Sequence, residues 1–144
     1  MMRRKLGSLL AAGALALTAN MTIGSGTASA ATTFTYGTSQ YGPTIKAYVN
    51  GQYAAEGTWT VDPIAGNPGD TIVVTDLRTD GQHITGYLAR TNYTVVRTAT
   101  TKGKPAPSYD SASGDLTEGS RWKFWICYGT DASDVCSQAI DVHA

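Results

Sequence analysis

The chain has only two histidines, His83 and His143, two glutamates, Glu56 and Glu118, and two cysteines, Cys127 and Cys136, and each scarcity closes off chemistry. Structural zinc sites draw on four Cys or His ligands at short spacings. Here eight residues separate the two cysteines in the chain, and no second Cys or His pair lies beside them. General acid-base catalysis calls for a well-placed histidine or two facing carboxyls. Nine aspartates outnumber the glutamates, but most fall at turns, where Asp is favoured because its side chain bonds its own backbone. No G-x-S-x-G elbow occurs. A triad of His83, Asp80 and a serine is the remaining catalytic arrangement, and a turn-adjacent polar histidine is the plainer reading of His83. His143, the penultimate residue, is expected at a frayed end. Basic excess is missing too: setting aside Arg3, Arg4 and Lys5 leaves eight basic against eleven acidic residues. That balance argues against nucleic-acid binding and against a basic membrane-surface protein.

The apolar runs are short as well. Leu6 to Leu17 is the longest of them, too short for a membrane anchor. With Arg3, Arg4 and Lys5 before it and Ala28-Ser29-Ala30 after it, residues 1–30 read as a cleaved signal peptide and 31–144 as one secreted domain. No Ser or Thr precedes the arginine pair and Lys-Leu-Gly follows it, which favours the general secretory route over the twin-arginine route. In an exported chain, Cys127 and Cys136 are most simply a disulfide, two thiolate metal ligands being the alternative.

Helical periodicity is absent from the segment after residue 30, while Thr, Tyr, Val and Gly abound and turn signals recur every 8 to 12 residues. The expected fold is all-β, a small antiparallel β-sandwich, immunoglobulin-like or related, with roughly seven to nine short strands. Ala31–Tyr36 suits an edge strand, broken by 37–43. Thr44–Val49 alternates and runs into Asn50-Gly51, a strong type I′ hairpin signal. The return strand holds Trp59 and Val61 on one inward face, with Gly57 marking a bulge or bend. Thr71–Thr75 and a strand from Gln82 flank Asp80-Gly81, which predicts a second hairpin. Asn92–Thr98 reads as a further strand, with Tyr93, Val95 and Val96 as its apolar mass. In Arg121–Tyr128, Trp122, Phe124, Ile126 and Tyr128 alternate with Arg121, Lys123, Trp125 and Cys127, and a strand near Ala139–His143 closes a C-terminal hairpin.

The succession VTDLRTDGQH, EGSRWKFWICYG and CSQAIDV resembles the small secreted single-disulfide β-proteins of filamentous actinobacteria. The resemblance spans about the last two thirds of the domain. It implies export and an all-β fold, and it carries over no catalytic residue.

Aromatics supply the functional signal. All thirteen (eight Tyr, three Trp, two Phe) follow residue 30. If Trp122, Phe124 and Ile126 face inward, Trp125 points outward beside Lys123 and Arg121, where it can stack on a sugar ring or anchor a protein contact; the plainer reading is that the other sheet, a loop or the Arg and Lys stems cover it. Tyr128 and the acidic 128–135 loop are expected at the rim. The function this predicts is a secreted, non-catalytic binding domain, without cofactor, whose partner is a polysaccharide or an extracellular protein. The alternative is an inhibitor of a secreted protease or other hydrolase that presents 128–135 or 102–108 to the enzyme; a small hydrolase built on His83 is the third reading. Paired aspartates, Asp76 with Asp80 and Asp131 with Asp134, are the calcium candidates, and solvated turn residues are the simpler account of them.

Overall fold

The computed structural model describes residues 30–63, 66 and 68–144, so all but the last residue of the segment read as a signal peptide lies outside the described residues. Ten strands form: β1 (Thr32–Ser39), β2 (Gly42–Val49), β3 (Gln52–Thr60), β4 (Thr71–Asp76), β5 (His83–Ala89), β6 (Val95–Thr100), β7 (Ser108–Ala112), β8 (Arg121–Gly129), β9 (Val135–Cys136) and β10 (Ile140–His143). They build two antiparallel five-stranded sheets, one ordered β1-β2-β3-β4-β7 and the other β10-β8-β5-β6, with β9 also paired to β8. No helix occurs among the described residues.

One apolar core is shared by both sheets. Ile45, Ala47, Ala55, Trp59, Ile72 and Val74 enter it from the first, and Ile84, Leu88, Phe124, Ile126, Tyr128 and Val142 from the second. Period-two alternation accounts for this directly, since it gives each strand one apolar face to bury. The inward direction of Trp59 follows the same rule, and its indole N–H donates to the His143 carbonyl at 2.8 Å. The end of the last strand is tied twice: Ala144 N–H donates to Ser120 O at 3.0 Å and its carbonyl accepts from Gly119 N–H at 2.9 Å. His143 is therefore held in β10 and does not fray.

Asn50 and Gly51 adopt φ of 51° and 76°, the left-handed pair that a type I′ turn requires. Four further expectations are corrected. β1 runs on through Ser39 and turns over Gln40 and Tyr41 alone, because Ser39 pairs with Gly42. Gly57 lies in regular register between Ile45 and Val74, and the irregularity in that strand pair falls between Ala47 and Tyr48. The Asp80-Gly81 turn closes no hairpin. β4 pairs with β3 and β7, β5 pairs with β6 and β8, and residues 77–82 form a crossover between sheets. Tyr93 lies in no strand; it occupies the β5–β6 turn at φ 65°, more than half exposed.

Candidate aromatic binding site

The outer face of the β10-β8-β5-β6 sheet is set by the parity of β8. Phe124, Ile126 and Tyr128 are buried toward the core, so Arg121, Lys123, Trp125 and Cys127 face outward. Across the ladder Trp125 pairs with Tyr87 on β5, and the two rings stack with centroids 5.2 Å apart and planes 19° from parallel. The β5–β6 turn brings Tyr93 against the same indole, at 6.2 Å and 52°. Hydrogen bonds from Tyr93 N–H to Arg90 O and from Arg90 N–H to Thr94 O lock that turn. A bulky side chain at positive φ costs on the order of 1–3 kcal/mol. Tyr93 thus holds its place over Trp125 at the expense of backbone strain.

On the other side of β8 the ladder slips by one residue. Cys127 pairs with Cys136, yet Phe124 pairs with Ile140, so the second strand carries one extra residue and Trp125 faces both Gln138 and Ala139 of a β-bulge. Ser137 bridges the slip, donating its N–H to Ile126 O at 2.8 Å and accepting Ile126 N–H on its hydroxyl at 3.1 Å. Gln138 N–H donates to the Tyr36 hydroxyl of β1 at 2.9 Å, which fastens the bulge to the other sheet. The bulge opens a shallow groove of about 490 Å³ walled by Trp125, Tyr93, Cys136, Ser137, Gln138 and Ala139. Because Tyr87 occupies the β5 side of the indole, the groove lies along its remaining side.

Charge flanks the aromatic group. Lys123 Nζ lies 2.7 Å from Asp141 Oδ1 and 5.9 Å from the Tyr93 ring centroid, a cation–π approach. The hydrogen bond to Lys123 holds the Asp141 carboxyl below the usual carboxylate range, and the same bond raises the Lys123 ammonium above its ordinary value. Arg121 shares the face at the far end of β8, opposite His143. The Cys127–Cys136 disulfide borders the groove and joins directly opposed residues.

Tyr128 stands apart from this site. It is fully buried on the opposite face of the sheet, and its hydroxyl donates to Asp80 at 3.1–3.2 Å. Burial, followed by the charges of Asp76 and Asp80, raises its phenol above the ordinary range. Asp80 is engaged by Tyr128 and by Arg78 Nε at 3.5 Å, so it is not the partner of His83. His83 Nε2 instead lies 3.5 Å from Asp131, which also binds Lys102 Nζ. Asp76 is buried at the base of the crossover, while Asp131 and Asp134 lie on the exposed β8–β9 loop. Among the described residues no group of three or more His, Cys, Asp or Glu side chains comes together as a metal site.

Trp125, Lys123 and Arg121 are thus where strand parity put them. Tyr87, Tyr93 and the bulge complete the site without having been foreseen. One signal of the bulge is in the sequence: Cys136 and Ile140 share parity while their partners Cys127 and Phe124 do not. Comparison of the chain with protein-family models, with curated proteins and with solved structures finds no match.

Proposed function

We propose that the chain is a secreted, non-catalytic binding domain of immunoglobulin-like sandwich topology, which takes a sugar ring of an extracellular polysaccharide in the groove beside Trp125. The strand order supports the topology: β3-β4-β7 opposite β10-β8-β5-β6 corresponds to strands A, B, E opposite G, F, C, C′, with β1 and β2 as an added hairpin. A disulfide fits an oxidising compartment, and the sequence resemblance adds weight to export. The observation that carries the ligand class is the indole held between Tyr87 and an open bulge, with Tyr93 fixed alongside at positive φ. A pyranose presents an apolar face that an aromatic wall can cover. The side-chain amide of Gln138, on the groove wall, then meets its hydroxyls.

The test is depletion of the purified, oxidised protein by a panel of insoluble polysaccharides and cell-wall preparations. Trp125→Ala is compared with Tyr109→Ala, which removes a 70 % exposed ring from the other sheet. Wild type and Tyr109→Ala should be retained alike, and Trp125→Ala should bind at least tenfold more weakly, the ~1.4 kcal/mol that tenfold represents. Equal retention of a still-folded Trp125→Ala would remove the groove from the account.

The inhibitor reading has one observation in its favour. Lys102 binds Asp131, so the 101–107 and 130–134 loops are fastened to one another, and prior rigidity lowers the ordering cost of docking. Loss of hydrolase activity on stoichiometric addition of the protein, with the added chain left uncut, would put that reading first.

A further inference from the structure

A second concave site lies at the end of the molecule where the 77–82 crossover meets the 101–107 loop. It is a cavity of about 390 Å³ walled by Arg78, Gln82, His83, Thr101 and Lys104, with the Gly81 and Gly103 turns at its edge. Its composition runs against that of the chain. Acidic residues outnumber basic ones after residue 30, yet the walls carry three cationic or protonatable side chains and no carboxylate. We propose that this cavity is an oxyanion-binding site, taking a phosphate or carboxylate group.

Donor supply supports the assignment. Arg78 borders the cavity, and its enclosed Nη1 has no hydrogen-bond partner among the described residues, so protein acceptors leave this guanidinium unsaturated. The carboxylates nearest Arg78 and His83 make long ion pairs only: Asp80 is 3.5 Å from Arg78 Nε and Asp131 is 3.5 Å from His83 Nε2, both beyond good hydrogen-bond length. Lys104 Nζ has three N–H groups and uses two, toward Asp110 at 2.6 Å and Tyr109 O at 3.1 Å.

The frame is braced in advance. Asp76 Oδ1 accepts Arg78 N–H at 3.1 Å, Asp80 Oδ1 accepts Gln82 N–H at 3.0 Å, and the buried Tyr128 hydroxyl holds Asp80 from below. Lys104 N–H closes a turn on Thr101 O at 2.9 Å. A planar guanidinium fork, an imidazole and an ammonium set around a small cavity match the several acceptor oxygens of one oxyanion. They offer nothing comparable to a neutral sugar.

The test is a ¹H–¹⁵N titration of the oxidised protein with inorganic phosphate and, separately, with glucuronate, each against sodium chloride at matched ionic strength. Saturable shifts at Gly81, Gly103 and Lys104 are expected with at least one of the two, and which one saturates assigns phosphate or carboxylate chemistry. Lys104→Gln and His83→Gln should each weaken that binding about fivefold and Arg78→Gln more than tenfold. The first two keep the proposal testable if loss of Arg78 unfolds the crossover. Shifts that only track ionic strength, or saturable binding unchanged in Lys104→Gln and His83→Gln, would overturn it.

Discussion

Two glycines set how closely the sheets approach. A Cβ on Gly57 of β3 would stand 2.4 Å from Ile126 Cγ2 and 3.2 Å from Phe124 Cζ, and one on Gly86 of β5 would stand 2.8 and 2.9 Å from Val74 and Ile72. Gly57→Ala should therefore destabilise the fold by about 1–3 kcal/mol, the usual cost of overpacking a close-packed core, readable as a lower Cm in urea with an unchanged slope. Asp76 makes a different residue-scale prediction. Burial, reinforced by Asp80, raises its carboxyl above the ordinary carboxylate value, against the opposing Arg78 N–H bond and His83. The folded state then holds that proton more tightly than the unfolded one, so ionisation of Asp76 costs stability as pH rises from its unfolded value through its folded value. Asp76→Asn keeps an acceptor for Arg78 N–H and removes the penalty. The variant's Tm should rise relative to wild type between pH 4 and pH 7, and a parallel pair of Tm–pH curves would contradict this.

At the scale of elements, the disulfide and the bulge work together on one edge. The closed loop is short (the cysteines are 9 apart in sequence), and chain entropy assigns it about 2.5–3 kcal/mol. A Cys127→Ala/Cys136→Ala double variant should lose roughly that much in urea unfolding, and a change under 0.5 kcal/mol would show that the ladder alone holds β9. The elements also show where a sequence can be read and where it cannot. Strand β8, its outward Trp125 and the Asn50-Gly51 turn are local patterns, legible from alternation and from residues that tolerate positive φ. The 77–82 crossover is not, because Asp-Gly marks a turn without saying whether the next strand stays in the same sheet; that is decided by which core faces β4 and β5 find. Tyr87 and Tyr93 join the site through the Tyr87–Trp125 register and the locked 90–94 turn, neither of them encoded near Trp125. Tyr128 was expected at the rim, yet its parity with Phe124 and Ile126 is the signal that buries it.

Taken whole, the molecule has one core drawn from both sheets, so neither sheet has a separate hydrophobic interior to fall back on. Unfolding followed by far-UV circular dichroism and by tryptophan emission should trace one coincident transition, and separated midpoints would indicate that the sheets melt independently. On that single frame the aromatic groove occupies the outer face of one sheet and the cationic cavity one end, each assembled from segments distant in sequence. The most direct test of the groove is a fluorescence titration of the oxidised protein with solubilised polysaccharides. Trp59 is buried in the core and Trp122 packs at its edge, so the emission change should belong to Trp125. Wild type should show a saturable change that persists in Tyr109→Ala and disappears in Trp125→Phe. A response that survives in Trp125→Phe, or no response to any polysaccharide, would contradict it.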